Sequence, residues 1–320
     1  MKRTTVRTGI EVLACLAFGL SLGAAAAFGR EKYEEKFSRS EALAKDGKVY
    51  LVNFSGDIDI QSWKEAQVKI EALKVSEAAS LEKAKENAAL VPIEVTSEPG
   101  IVRIETKYPK NRKEWGGDSL SVSVTYKLWI PEKASFEVKS VSGDVKVAPV
   151  GGQARVKSVS GNVSVLGAAG ADISLVSGDM TVENLLGDAY LKVVSGTVRA
   201  AKIKGSVETE SVSGDLLLKD VAEARSVTAK SVSGNITYAG DILAGGNYEF
   251  SAHSGNVELR LPAKAAFDLE ANTFSGVIDS DFPIQVVGKI SPKEIRGTVN
   301  GGGARIRAKA FSGNVEIKKY

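Results

Sequence analysis

The stretch Val141-Ser142-Gly143-Asp144-Val145-Lys146-Val147 joins a Ser-Gly breaker to polar and apolar residues in strict alternation. That period of two belongs to a half-buried strand. Asn162-Val163-Ser164-Val165, Asp179-Met180-Thr181-Val182 and Asn314-Val315-Glu316-Ile317 repeat it behind their own Ser-Gly pairs. From residue 142 onward the pair occurs nine times, at Gly143, Gly161, Gly178, Gly196, Gly214, Gly234, Gly255, Gly276 and Gly313, with spacings of 18, 17, 18, 18, 20, 21, 21 and 37 residues. Self-similarity at such a period marks a solenoid with one coil per repeat. Further breakers at Gly151, Gly170, Gly187 and Gly205 give each coil at least two strands and two corners. A coil this short has no room for a crossover helix. The copies are therefore expected to stack as an all-β, parallel β-solenoid, β-helix- or β-roll-like, of about ten coils and on the order of 45–50 Å long at ~4.8 Å per coil. The 37-residue gap is expected to hide one degenerate copy.

Glycine takes positive φ without steric cost, and Asp or Asn tolerates the left-handed region and caps turns, so Ser-Gly-Asp/Asn is corner chemistry first. The residue after the glycine runs Asp144, Asn162, Asp179, Thr197, Asp215, Asn235, Asn256, Val277 and Asn314. In chain order no two acids are neighbours, which would avoid carboxylates stacked ~4.8 Å apart. Two residues before the glycine, Val141, Val159, Val176, Val194, Val212 and Val232 give way to His253, Phe274 and Phe311, a change of filler in the core or on its flank.

The chain has 320 residues, enough for two ordinary domains or one solenoid with a cap. Its formal charge is +3, of which Lys2, Arg3, Arg7 and Glu11 supply +2, so no nucleic-acid signature remains. The single cysteine, Cys15, lies in an apolar N-terminal stretch. Lys2, Arg3 and Arg7, the apolar run Val12 to Ala24 and the small residues Ala24 to Ala27 have the layout of a signal peptide over residues 1–27, with the mature chain starting near Phe28. An uncleaved anchor over Val12 to Phe28 is the alternative; the apolar run before Cys15 is short for a lipoprotein signal. The expected location is the periplasm, the cell envelope or outside the cell, with no membrane span in the mature chain.

Residues 28–47 are charged and poor in large apolar residues, and are expected to be a linker. Residues 48–135 are expected to form an N-terminal β cap, since a solenoid must cover its open edge. Ser76 to Leu90 is rich in helix formers and opens on a serine, predicting one helix near 77–89. The array then occupies 136–320.

Phe54-Ser55-Gly56-Asp57-Ile58-Asp59-Ile60-Gln61-Ser62-Trp63, Tyr126-Lys127-Leu128-Trp129-Ile130-Pro131 leading into Val141-Ser142-Gly143-Asp144-Val145, Leu259-Arg260-Leu261-Pro262 with Thr273-Phe274-Ser275-Gly276, and Gly301-Gly302-Gly303-Ala304-Arg305-Ile306 before Phe311-Ser312-Gly313-Asn314-Val315 carry a resemblance. Over residues 48–320 the chain resembles the bacterial putative-adhesin β-strand-repeat family, a domain of unknown function. The resemblance implies an envelope-associated β-solenoid without established catalytic residues, and fold alone does not set function.

The candidate chemistry is sparse. His253 is the only histidine and replaces valine in its row, which favours packing or a corner hydrogen bond over catalysis or metal binding. The repeated serines cannot each have a base, and none lies in a Gly-x-Ser-x-Gly elbow. Asp144 and Asp179, or Asp179 and Asp215, stand two coils apart, at about the upper limit for an inverting glycosidase pair, but their regular recurrence argues against a unique site. The calcium-binding Gly-Gly-x-Gly-x-Asp nonapeptide is absent. No catalytic residue, cofactor or metal site is expected. A basic row, Lys139, Lys157, Lys192, Lys230 and Lys309, is either a solvated face or a stripe for a polyanion. The expectation is a non-catalytic, exported structural or adhesin-like module whose partner is an envelope glycan, lipopolysaccharide or a surface protein. A polysaccharide-acting β-helix enzyme and an envelope-stress sensor module are the alternatives.

Overall fold

The computed structural model describes residues 30–109, 120–286 and 291–320, so the expected signal peptide and Cys15 lie outside the described residues. Each repeat bends at its Ser-Gly corner and places one strand in each of two sheets, of 14 and 13 strands. The Gly143 coil joins Ser135–Ser142 to Val145–Val147, and the Gly161 coil joins Gln153–Ser160 to Val163–Val165. Neighbouring coils pair in parallel with side chains in register: Val138, Val156, Ile173 and Leu191 stack along the first sheet. Val145, Val163, Met180 and Val198 do so along the second. These inward residues are buried and form one continuous core between the sheets. Towards the C-terminal end the filler becomes aromatic, with the Tyr238 ring centroid 5.2 Å from Phe250 and 6.3 Å from Tyr248. Their hydroxyls donate to Asp241 O and Ala224 O, both at 2.7 Å, which satisfies the polar ends of two large rings.

Coil order in space departs from chain order at both ends. The Gly56 coil, Lys48–Val52 with Ile58–Trp63, stacks directly on the Gly143 coil, so this part of the expected cap is itself a coil of the solenoid. Ile101–Thr106 and Ser121–Pro131 lie beyond it, one in each sheet. At the other end, Ala304–Ser312 and Val315–Lys319 insert between the Gly255 coil and the Gly276 coil, which is thereby pushed to the outside. Among the described residues no degenerate coil fills the 37-residue gap: Gln285–Val286 and Glu294–Val299 run antiparallel and cover the edge of Phe267–Thr273. Phe282, 5.4 Å from Phe267 in a T-shaped contact, closes the end of the core. An antiparallel cover stops parallel addition, which a further coil would have invited.

The segment read as a linker also differs. Residues Glu31–Ala42 form a strand antiparallel to Gln67–Ala78. Its charges are those of a solvent-facing edge: Lys32 lies opposite Glu77, and Glu35 opposite Lys74. The helix spans Leu81–Ala89 and is capped by Ser80, whose Oγ accepts from the Lys83 N–H at 3.2 Å. Ser76, the serine expected to open it, is buried in the preceding strand, whose alternation continues through the helix-forming composition. Lys74 is only 5% exposed; its Nζ donates to Ala88 O at 3.1 Å and pairs with Glu35 at 3.1 Å, tying the helix C-terminus to both strands.

Asn53 makes the corresponding tie at the first corner. Its buried Nδ2 reaches Ser55 O, Gly56 O and Val124 O at 3.1, 3.3 and 2.8 Å. Asn53→Leu keeps the volume but removes the donor from three carbonyls. A loss of about 2 kcal/mol in urea unfolding is expected, against little change if solvent supplies the donors instead.

Candidate functional site

The corner is built from backbone contact. Gly196 has φ +135°, and a Cβ built on it would overlap the carbonyl of Gly178; the same holds between Gly178 and Gly161 and along the column from Gly143 to Gly255, then Gly313 and Gly276. Only hydrogen fits between successive corners. Beside this column runs a side-chain ladder. Oδ1 of Asp144 accepts from the Asn162 N–H at 2.8 Å, Asn162 from Asp179 at 3.0 Å, and Asp179 from Thr197 at 2.9 Å. Asp215, Asn235, Asn256 and Asn314 do the same for Asn235, Asn256, Asn314 and Val277. The ladder thus selects an acceptor at these rungs; among the described residues Thr197 takes no such bond from Asp215, and Val277, on the outermost coil, needs none. The expected separation of acids does not hold throughout, because Asp57 sits beside Asp144 and accepts from its N–H at 2.9 Å. An amide hydrogen placed between them offsets part of the repulsion.

Asp179 also pairs with Arg199 at 3.0 Å, and the Thr197 N–H together with that guanidinium holds its carboxyl below the usual aspartate range. The stabilisation this brings is present above the unfolded-state range and is lost as pH falls through the depressed value. These carboxylates are engaged in holding corners. Among the described residues no group of three or more His, Cys, Asp and Glu side chains comes together to hold a metal.

The distinctive surface lies on the outer face of the first sheet. Strand alternation turns Ser158 inward and sends Lys157 and Val159 outward, about 6.6 Å apart along the strand. Register repeats this on every coil. Lys139, Lys157, Ser174, Lys192, Glu210, Lys230, Ser251, Lys309 and Asn272 succeed one another as a rim. Val159, Val176, Val194, Val212 and Val232, then His253, Phe311 and Phe274, line the same groove as a ridge, which the exposed Val141 continues beyond it. The groove holds about 1290 Å³ and, over nine coils, is ~38 Å long. All five lysines of the predicted basic row line it.

The six valines are 36–50% exposed, so this row is flank and not core filler. His253 and Phe274 stack on the two faces of Phe311, each with centroids 4.8 Å apart and planes within 10°. Phe54 continues the ridge at the other end, 5.0 Å from Tyr108. On the rim, Lys192 pairs with Glu210 at 3.0 Å, which raises the pKa of its ammonium, and Lys139 lies 3.7 Å from Glu137. Lys157, Lys230 and Lys309 have no carboxylate within 4.0 Å among the described residues. Sequence reasoning found both rows but did not join them. The joining signal was the Lys-x-Val spacing itself, since residues two apart on a strand share a face.

No curated protein matches this chain. Among solved structures, a putative adhesin from Parabacteroides distasonis is 16% identical, with 88% of this chain and 97% of that one covered and a TM-score of 0.49. A putative adhesin from Bacteroides fragilis is 14% identical, with coverages of 89% and 97% and a TM-score of 0.35. A putative lipid binding protein from Parabacteroides distasonis is 13% identical, with coverages of 89% and 96% and a TM-score of 0.35. Superpositions this loose carry no function across. The family model described as Toastrack DUF4097 matches residues 48–318, from the first coil to the last strand, and the chain belongs to that family.

Proposed function

We propose that this protein is an exported, non-catalytic binding module of the bacterial cell envelope that holds an elongated anionic molecule lengthwise in the lysine-rimmed groove. The observation that carries this reading is the row of six valines, in register and exposed, on a face where threonine would serve the strands as well. A contiguous apolar strip on a protein surface marks a place of contact. The adjoining lysines that lack carboxylate neighbours set the sign of the partner. The enzyme alternative loses support because Asp144, Asp179 and Asp215 each spend Oδ1 on a backbone N–H of the next coil.

Lipopolysaccharide, which presents phosphates and acyl chains together, is a suitable first probe. The Lys157→Gln/Lys230→Gln/Lys309→Gln variant is expected to bind it roughly tenfold or more weakly at low ionic strength, and the salt dependence should flatten. Binding equal to that of the unsubstituted chain and indifferent to salt, or cleavage of an envelope glycan by the purified protein, would remove this reading.

A further inference from the structure

We propose that the groove takes its ligand in one direction: an anionic amphiphile with a single acyl chain, its headgroup over Ser251 between Lys230 and Lys309, its chain running along the ridge from Val232 towards Val176. This rests on the groove being the binding site.

Three features place the headgroup. Ser251 is paired in register with Lys230 on one neighbouring coil and Lys309 on the other, so lysines on the two strands ~4.8 Å to either side flank a small hydroxyl-bearing residue. Glu210, in register with Lys230 on its other side, is engaged by Lys192 at 3.0 Å. Across the ridge the corner ladder reads Asn235, Asn256 and Asn314 along this half, but Asp144, Asp179 and Asp215 along the other. Along the ladder an anion is therefore opposed by carboxylates only at the Lys139 end, while on the strand itself Glu249 faces outward two residues before Ser251, in register with Arg307 on the next coil. His253, two residues from Ser251 on the same face, is stacked on Phe311 and offers a ring beside the headgroup where the coils from Gly143 to Gly234 offer methyls.

The ridge places the chain. From His253 to Val176 is four coil spacings, ~19 Å, against ~15 Å for one acyl chain, half of a bilayer's hydrocarbon core. Val232, Val212, Val194 and Val176 have no side-chain hydrogen-bonding group for a sugar hydroxyl, whereas a chain laid on them removes apolar surface from water.

The test is titration of palmitoyl lysophosphatidate and palmitoyl lysophosphatidylcholine below their aggregation concentrations, with polygalacturonate as an anion without a chain and anionic phosphatidylglycerol vesicles as a surface. The lysophosphatidate is expected to bind more tightly than the zwitterion. Val176→Thr/Val194→Thr/Val212→Thr, isosteric on an exposed strand face, should weaken both lysolipids roughly tenfold or more. Lys230→Gln/Lys309→Gln should erase the preference for the anion, and Lys139→Gln/Lys157→Gln should weaken the lysophosphatidate less. Equal effects of the two lysine pairs, or no effect of the threonines, would overturn the proposal. Binding of vesicles without binding of monomeric lysolipid would overturn it in favour of a surface-docking face. Salt-sensitive binding of polygalacturonate without the lysolipid would overturn it and leave the groove as the binding site; no binding of any probe would remove both readings.

Discussion

Gly196→Val is expected to lower stability by more than about 3 kcal/mol, measured by urea unfolding of the whole chain with hydrogen exchange to localise the loss. Two costs add. At φ +135° a β-branched residue pays for its backbone conformation, and its Cβ would overlap the carbonyl of Gly178, which is backbone and cannot swing aside. Relief would require the two coils to part, at the expense of the Gly178 N–H to Ser195 O and Met180 N–H to Thr197 O bonds at 3.0 and 2.9 Å. Gly245→Ala is the control, since Gly245 also has positive φ, +75°, but nothing lies within 4 Å of a Cβ built there. It should cost only about 1 kcal/mol. Similar losses at the two positions would show that conformation and not contact fixes glycine at the corners. Because each coil touches only its neighbours, protection should fall first in the Gly178, Gly196 and Gly214 coils.

The middle of the molecule was legible because one local rule recurs there. Alternation behind each Ser-Gly pair reports both the strand and its inward side, and the spacing reports the stacking. The ends were illegible because closing a solenoid is a long-range matter that leaves no period. Glu31–Ala42 carries the charges of a protected edge, which in a sequence look like those of a linker; only its pairing, Glu35 opposite Lys74, separates the two. The same blindness touched the corner ladder. Read in chain order, Val277 is an unexplained gap between Asn256 and Asn314, but in space it is the last rung and has no coil beyond it to serve. The groove was half legible: its lysines were named as a row, but the exposure of the valines depends on the corner kink after each of them, which composition does not report.

Removal of residues 304–320 is the experiment that most directly tests coil order. If the coils stacked as they follow in the chain, this deletion would strip only the last one and leave Phe267–Thr273 seated on Asn247–Ser254. In the structure Ala304–Ser312 lies between them, and Phe267–Thr273 has no other partner but the antiparallel strand Glu294–Val299. A short antiparallel pair without a sheet beneath it is not stable in water. The amides of 267–299 are therefore expected to lose their protection and exchange as an unfolded segment does, while the coils from Gly143 to Gly234 keep theirs, because each contacts only its neighbours. The aromatic stack should go with it, since Phe274 and His253 meet only through Phe311, and with the stack one end of the groove. Retained protection across 267–273 in the shortened chain would mean that this strand can restack on Asn247–Ser254, and that coil order at this end is a choice between two registers of similar stability. The antiparallel cover would then guard against that alternative as well as against addition of a second chain, since Glu294–Val299 grips Phe267–Thr273 from Phe267 to Asn272 and would have to move with it.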